Sequence, residues 1–262
     1  MTALDSVGAA VRTLAPVTLD ELVARAELLT RVDRKYVLPL ADVPFLLGGL
    51  GRGVRVLEID GERDFAYGSL YFDTPELHGY LGAARSRRRR FKVRERTYLH
   101  SGLRFLEVKT RGPRGTTVKH RMPYDDGAFP DAAGRAYVDT VLAGAGIDSR
   151  GFRFVPTLTT AYRRTTLLLP ADGSRLTVDT GLVWALPDGS RHLGTPDRAV
   201  VETKSGRAGS GADRLLWSLG HRPCAVSKYG TGLAALRPGL PAHRWLPVLR
   251  RHFPTALDGS PA

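Results

Sequence analysis

The chain has 262 residues, 42% of them apolar, which is sufficient for one large folded core. Its 39 Lys and Arg residues against 26 Asp and Glu residues give a net charge of +13, which predicts an anionic partner such as nucleic acid, polyphosphate, a nucleotide or a membrane surface. The single cysteine, Cys224, excludes an intrachain disulfide and a cysteine metal cluster. No basic segment precedes an apolar run and no apolar run approaches the length of a membrane span, so we expect a cytoplasmic protein without membrane insertion.

The hydrophobic pattern predicts short helices among many strands, in a single domain over residues 18–252. Residues 1–17 are expected to form a disordered N-terminal segment, and residues 253–262 a flexible tail. Helices are predicted at VTLDELVARAEL, ADVPFLLGGLG, TPELHGYLGAA (with Thr74 as the cap), GRAYVDTVLAGAGI, GADRLLWSLG and TGLAALRPG. Strands are predicted at LLTRVDRKYVLPL, VRVLEI, FAYGSLYFDT, SRRRRFKVRERTYL, RFLEVKTRG, TTVKHRMPY, RFVPTLTTAYRRTTLLLP, RLTVDTGLVWAL and AVVETKS. The predicted fold class is therefore α+β, mainly antiparallel β.

Charged residues recur at every second position of the predicted strands, so they share one face of each strand. The longest run is Arg88, Arg90, Lys92, Arg94 and Arg96, with Phe91 and Val93 on the other face. The other charged runs are Arg31, Asp33 and Lys35; Glu107, Lys109 and Arg111; Lys119 and Arg121; Arg175 and Asp179; and Glu202 and Lys204.

Two arrangements are compatible with this pattern. In an ordinary one-sided antiparallel sheet, the charged faces would point into water. However, these faces contain few Ser, Asn or Gln residues, and cations at two-residue spacing repel one another without a counterion. A closed tunnel barrel of about eight strands with flanking helices resolves both difficulties, because a phosphate chain in its lumen would supply the missing negative charge.

Nine motifs, in this order, resemble the VTC domain, the polyphosphate-polymerase module of the eukaryotic vacuolar transporter chaperone, within the CYTH-like triphosphate tunnel metalloenzyme superfamily. They are RVDRKYVL, SLYFDT, RRRRFKVRER, FLEVKT, VKHR, AYRRT, RLTVDT, VVETKS and SKYGTGL, and they extend from about Leu28 to Leu236. The resemblance implies an antiparallel β-barrel tunnel, a bound nucleoside triphosphate and a divalent metal, Mn²⁺ or Mg²⁺. It further implies transfer of the ATP γ-phosphate to a growing polyphosphate chain.

The resemblance also implies roles for individual residues. The family's catalytic cations correspond to Lys35, Arg94, Lys109, Lys119, Arg175 and Lys228. Further substrate-binding cations correspond to Lys92 or Arg96, and to Arg163 or Arg164. The charged runs add Arg31, Arg90, Arg121 and Lys204 to the expected substrate-binding residues. Glu202 corresponds to the metal-holding glutamate, and we expect Glu107 or Asp179 to assist it.

We therefore expect an ATP-polyphosphate phosphotransferase, in which the protein aligns the phosphates and neutralises their charge. On the first strand, Arg31, Asp33 and Lys35 stand where the superfamily's hydrolases have Glu-x-Glu-x-Lys, which favours a polymerase over a triphosphatase. The alternatives are a metal-dependent triphosphate hydrolase and a non-catalytic binder of polyphosphate or nucleotide. Sequence-specific nucleic-acid binding is not expected, because the charged faces contain almost no aromatic residues.

The eukaryotic relatives also carry an SPX domain and transmembrane helices, and we expect neither in this sequence. Translocation of a product would therefore need a membrane protein as partner, to supply the pore. The oligomeric state and the length of the product are open at this point.

Overall fold

The computed structural model describes residues 2–26, 32–112, 116–124, 128–206 and 208–254. The α-helices in this part of the chain are α1 Ala3–Arg12, α2 Leu19–Ala26, α3 Val43–Gly49, α4 His78–Ala84, α5 Ala132–Gly144, α6 Gly211–Ser218, α7 Lys228–Leu236 and α8 Leu246–His252. The strands are β1 Ala15–Val17, β2 Val32–Pro39, β3 Arg55–Leu57, β4 Asp64–Asp73, β5 Phe91–Tyr98, β6 Arg104–Arg111, β7 Thr117–Pro123, β8 Val155–Leu169, β9 Ser174–Ala185, β10 His192–Thr195 and β11 Arg198–Ser205. A 3₁₀ turn, Leu40–Asp42, precedes α3.

The strands form a largely antiparallel sheet, which confirms the predicted α+β class. Their hydrogen-bonded order is β2-β11-β9-β8-β4-β5-β6-β7, with β10 on β9 and with β3 between β8 and β1. The pairing of β1 with β3 is parallel. In the described residues the end strands β2 and β7 do not pair with each other, so closure of the sheet into a tunnel barrel stays a prediction.

The chain divides into two compact units, and strands β4, β8, β9 and β10 contribute residues to both. Unit 1 consists of Met1–Ala66, Tyr162–Leu182 and Gly194–Val226. Unit 2 consists of Tyr67–Ala161, Val183–Leu193 and Ser227–Ala262. That residues 18–252 fold as a single domain stays a prediction.

Each unit has its own apolar core. In unit 1, one face of β2, β9 and β11 packs against α1, α3 and α6, with Tyr36, Leu176 and Val201 fully buried. In unit 2, one face of β5 and β6 packs against α5, with Val93 and Val108 at its centre. Because side chains alternate along a strand, the opposite face of each sheet region is left for the charged residues.

The structure differs from the sequence expectations at the N-terminus. Residues 1–17, expected to be disordered, include helix α1 and strand β1. The Thr2 hydroxyl accepts from the Asp5 backbone and the Asp5 carboxylate accepts from the Thr2 backbone, which is a capping box. Val7 and Val11 are buried in the unit 1 core, so apolar packing stabilises this short helix.

Two element boundaries also differ. Helix α4 begins at His78 and not at Pro75, because the Asp73 carboxylate accepts hydrogen bonds from the backbone N–H groups of Gly79 and Tyr80. Strand β5 begins at Phe91, so the arginines before it lie outside the strand. Most of the expected flexible tail lies outside the described residues. None of the described helices combines the length and hydrophobicity that crossing a membrane requires.

Candidate functional site

One face of the sheet in unit 1 carries alternating cations and carboxylates. In the middle row, Glu202 of β11 lies between Lys35 of β2 and Thr177 of β9. The next row consists of Asp33, Lys204 and Arg175. We define the unit-1 charged face as Asp33, Lys35, Arg164, Arg175, Asp179, Glu202 and Lys204.

Three cations hold Glu202 in the ionised state. Burial by itself favours the neutral acid, but the charges of Lys35, Lys204 and Arg164 lower the pKa of Glu202 well below its ordinary value. The Lys204 ammonium contacts Glu202 directly and also lies 3.1 Å from Asp33. Glu202 is therefore an ionised carboxylate surrounded by three cations.

Asp179 and Arg164 form a second ion pair on this face. The Arg164 guanidinium donates to the two carboxylate oxygens of Asp179 at 2.6 and 2.8 Å. Although burial opposes ionisation, Asp179 raises the pKa of Arg164 well above its ordinary value. Arg163, the alternative to Arg164, is half-exposed and forms an ion pair with Asp64. Because neighbouring strand residues face opposite ways, Arg164 belongs to the unit-1 charged face and Arg163 does not.

A buried carboxylate supports the unit-1 charged face from the other side of the sheet. Asp213 of α6 accepts hydrogen bonds from the hydroxyls of Tyr36 (2.7 Å) and Thr203 (2.6 Å). These two residues directly follow Lys35 and Glu202 in their strands. The sequence analysis did not identify Asp213, and its capping pattern with Ser210 was the signal that could have found it. Asp213 therefore fixes the strand segments that present Lys35 and Glu202.

We expect Asp213→Asn to destabilise the protein by about 2–4 kcal/mol, because an amide cannot accept from all the donors that surround this carboxylate. Hydrogen bonds lower the pKa of Asp213 below 3.8 despite burial, so its contribution is present above that pH and is lost as the pH falls through the folded-state pKa. Urea unfolding at neutral and acidic pH measures both effects, and the variant's deficit should shrink in acid. Exposed Asp148→Asn serves as the control, and an equal loss in both variants would contradict the prediction.

In unit 2, strands β5, β6 and β7 place a denser group of cations on one face. Arg94, Glu107 and Arg121 form one cross-strand row. The adjacent row is Lys92, Lys109 and Lys119. We define the unit-2 charged face as Lys92, Arg94, Arg96, Glu107, Lys109, Arg111, Lys119 and Arg121. Because like charges directly opposite one another repel, the lysine row favours a bound anion.

Glu107 lies at the centre of this face and is 1% exposed. It accepts from both the Nε and an Nη of Arg94, and its other oxygen lies 3.4 Å from the ammonium of Lys119. Burial favours protonation, yet Arg94, Arg96 and Lys119 lower the pKa of Glu107 well below its ordinary value. Burial lowers the pKa of Lys119, and Glu107 opposes that shift. The carboxylate thus holds the cations in place without neutralising all of them.

An aromatic pair connects this face to helix α7. Arg94 donates to the Tyr71 hydroxyl at 3.1 Å, and the Tyr71 ring stacks on Tyr229. The Tyr229 hydroxyl in turn donates to the buried Asp73 at 2.6 Å. Tyr71 is buried. Thr74, predicted as the cap of helix α4, is not its N-cap, which is Leu77, and the Asp73 carboxylate instead accepts from the backbone N–H groups of Gly79 and Tyr80. The hydrogen bond from Arg94 to Tyr71 was not foreseen.

Lys92 and Lys228 are associated with the start of helix α7. Lys92 donates to the Oγ of Ser227, the residue that caps α7, at 2.7 Å. The helix packs closely here, since a Cβ on Gly232 would lie 2.1 Å from a ring atom of Trp184. The Trp184 indole donates to the Lys228 backbone carbonyl at 2.7 Å. The glycines of the SKYGTGL motif therefore allow the packing that positions Lys228.

The structure brings most of the expected site residues together within each unit. In unit 1, Lys35, Arg164, Arg175, Asp179, Glu202 and Lys204 share one face. In unit 2, Lys92, Arg94, Arg96, Glu107, Lys109, Lys119 and Arg121 do so. Arg90 lies just before β5, Arg163 belongs to another surface, and Arg31 lies outside the described residues. That the two charged faces line one cavity stays a prediction.

The carboxylates fit a metal only in part. Among the described residues, no three His, Cys, Asp or Glu side chains are grouped to hold a metal ion. Mg²⁺ commonly takes one or two carboxylates together with substrate phosphates and water. Glu202 comes closest to that need, because it is an ionised carboxylate that contacts Lys204 through one oxygen. Asp179 lies on the same face of the neighbouring strand, but both of its oxygens accept from Arg164. Glu107 likewise has both oxygens in contact with cations, Arg94 and Lys119.

The family model described as "VTC domain" matches residues 30–237. Solved structures that the chain resembles include HpAC1 from Hippeastrum, described as a putative adenylyl cyclase with a dominant triphosphatase activity (15% identity, 82% of this chain and 100% of that chain, TM-score 0.49). Others are the PH1012 and PH1819 proteins from Pyrococcus horikoshii OT3, with 10% and 11% identity, 72% and 73% of this chain, 87% and 88% of theirs, and TM-scores of 0.39. No curated protein sequence matches the chain.

Proposed function

Because this chain belongs to the VTC domain family, we propose that it is a polyphosphate polymerase, which transfers the γ-phosphate of ATP to the end of a polyphosphate chain. The observation that carries the proposal is the charge balance of the unit-2 charged face. Within the described residues of β5, β6 and β7, Glu107 is the one carboxylate on a face whose other charged residues are Arg and Lys. Such a face suits a ligand with many negative charges, because each further phosphate can neutralise a further cation.

The residues would act by positioning and by charge neutralisation. Arg94, held by Glu107 and Tyr71, presents a pre-oriented guanidinium that can bind phosphate oxygens in a bidentate manner. Lys92, Lys109 and Lys119 would act as point charges along the phosphates. The attacking group would be the terminal phosphate of polyphosphate, which is already ionised and needs no general base from the protein. Its oxygen would bond to the γ-phosphorus of ATP as the bond to the β-phosphate oxygen breaks, and ADP would leave. Phosphoryl transfer depends mainly on such alignment and electrostatic stabilisation.

Glu202, assisted by Asp179, would hold a divalent metal, Mn²⁺ or Mg²⁺. When bound, the metal would neutralise charge on the phosphate oxygens. Lys35 and Lys204 keep Glu202 ionised, and they would also attract the phosphates. Asp179, which is paired with Arg164 through both oxygens, would assist Glu202 from the neighbouring strand. The surrounding cations therefore hold Glu202 in the ionised state, in which it can bind a hard cation.

A triphosphate hydrolase is the second candidate. The proposed metal site at Glu202 and Asp179 is compatible with it, because hydrolysis also needs a metal. In the sequence, Arg31, Asp33 and Lys35 stand where the superfamily's hydrolases have Glu-x-Glu-x-Lys, so a carboxylate that a hydrolase would use is replaced by a cation. The substitution favours a longer anion over activation of water. A non-catalytic polyphosphate binder would use the same cations without turnover.

The proposal predicts that binding tightens with phosphate chain length and weakens steeply with salt. The test is a competition assay, in which phosphate, triphosphate and long polyphosphate each displace a labelled nucleotide at two ionic strengths. Incubation with ATP and Mn²⁺, followed by gel analysis, then distinguishes a polymer from free phosphate. Equal affinity for triphosphate and polyphosphate, with release of free phosphate, would favour the hydrolase. Binding without turnover would indicate a non-catalytic binder.

A further inference from the structure

A second basic surface lies next to the unit-2 charged face. Residues 85–90, with the sequence RSRRRR, connect α4 to β5, and we call them the arginine segment. The side chains of Arg85, Arg87, Arg88 and Arg89 are exposed. In the described part of the chain, none of these four arginines forms an ion pair with a carboxylate. The segment therefore presents a concentrated positive charge that no described carboxylate neutralises by an ion pair.

The arginine segment continues the rows of the unit-2 charged face. Phe91 lies across from Thr110, so Arg90 lies beside Arg111 at the end of the β5–β6 ladder. Burial and the neighbouring charges of Arg111 and Arg244 lower the pKa of Arg90. Moving outward, the lysine row of Lys92 and Lys109 is thus followed by Arg90, Arg111 and Arg244, and then by the exposed arginines.

Specific hydrogen bonds hold the segment despite this repulsion. Ser86 has a φ of 53°, a left-handed conformation that a residue other than glycine seldom adopts. The Arg244 guanidinium donates to the Ser86 hydroxyl at 2.6 Å, and Arg90 donates to the Arg87 carbonyl at 2.6 Å. The arginine segment thus places several like charges close together, and another arginine, Arg244, holds it in place. A bound anion would reduce this repulsion more than water does.

We propose that the arginine segment and Arg244 bind the distal part of a polyphosphate chain whose reacting end lies on the unit-2 charged face. This inference rests on the proposed function. Rows on a strand repeat at about 6.8 Å, so a flexible phosphate chain can contact successive rows without a break. The segment would thereby retain a lengthening chain between transfer steps.

The composition of the segment favours polyphosphate over other polyanions. Single-stranded RNA binds to surfaces that offer aromatic rings for base stacking, and residues 85–90 include none. A membrane surface is usually bound by an apolar anchor together with cations, and the exposed large hydrophobic residues of the described chain do not fall in this segment.

The test compares two triple variants with equal loss of charge. The first is Arg87→Gln with Arg88→Gln and Arg89→Gln. The control is Arg52→Gln with Arg153→Gln and Arg250→Gln. These three arginines are exposed and lie outside the segment. We expect the first variant to bind long polyphosphate about tenfold more weakly at low salt, with triphosphate affinity within about twofold of wild type. The control variant should bind both ligands as wild type does, and Arg88→Gln alone should show a smaller loss for polyphosphate.

Several results would overturn the inference, and thermal unfolding first establishes that each variant is folded. Unchanged polyphosphate affinity in both the triple variant and Arg88→Gln would refute the segment's role while leaving the proposed function intact. Equal losses for triphosphate and polyphosphate would assign the arginines to the reacting end. If RNA or vesicles with anionic lipid bind more tightly than polyphosphate and depend on the same arginines, the partner is a different one. Failure of wild type to bind any phosphate would instead refute the proposed function itself.

Discussion

Replacing Glu202 with glutamine is expected to lower metal-dependent turnover by at least about 100-fold while the protein remains folded. The amide is nearly isosteric but carries no charge, so it cannot hold a divalent cation beside phosphate oxygens. Lys35, Lys204 and Arg164, which lower the pKa of Glu202, then lose a partner. Steady-state turnover of ATP across a range of Mn²⁺ concentrations measures the effect, and thermal unfolding verifies the fold.

Two further variants separate the metal role from a structural one. Exposed Glu62→Gln is the control for loss of a surface charge in unit 1 and should retain full activity. Lys204→Met removes the ammonium that contacts Glu202. If Glu202→Gln retains activity with Mn²⁺, the carboxylate does not hold the metal. In that case its role is the ion pair, and Lys204→Met should have the same effect on stability.

Replacing Glu107 with glutamine is expected to destabilise the protein by about 3–5 kcal/mol, the usual cost of leaving buried charges without their partner. Arg94 is buried, and it would keep its positive charge beside Arg96 and Lys119 after losing the carboxylate that accepts its hydrogen bonds. A polyanion should restore part of that loss, because it supplies the missing charge. Urea unfolding with and without inorganic triphosphate measures both effects.

Glu76→Gln is the matched control, since Glu76 is an exposed carboxylate in unit 2. It should change the unfolding free energy by less than about 1 kcal/mol. The triphosphate-induced stabilisation should be larger in Glu107→Gln than in wild type. If Glu107→Gln is as stable as wild type, the surrounding cations do not depend on the carboxylate. If triphosphate stabilises both proteins equally, these cations do not bind phosphate.

The charged faces could be predicted from the sequence because alternation along a strand is a local property. Lys92, Arg94 and Arg96 share a face whichever strands they pair with. The same reasoning placed Glu202 with Lys204, and Arg175 with Asp179. Family membership was also accessible, because its motifs are short and occur in a defined order, and the match over residues 30–237 confirms it.

Other features depended on contacts between distant residues. Two adjacent arginines gave no means of choosing between Arg163 and Arg164. Their partners Asp64 and Asp179 show that Arg164 shares the unit-1 charged face, and its role in binding substrate stays a prediction. Helix α1 was missed because ten residues with a modest apolar stripe are stable only when packed against a core. Arg90 was assigned to a strand that begins one residue later, since element ends are weakly encoded.

The sequence by itself determined the family, the mainly antiparallel class and the identity of the residues on each charged face, because all three follow from local patterns of residue type. Only the tertiary structure decided how these residues are paired: Glu107 with Arg94 and Lys119, Lys92 with the cap of α7, and Asp213 behind Lys35 and Glu202. Such pairing depends on strand register and helix packing, which bring together residues far apart in the chain. Residue type alone does not distinguish a carboxylate that holds cations in place, such as Glu107, from one proposed to bind a metal, such as Glu202. The distinction comes from the ion pairs that each forms with residues distant in the sequence.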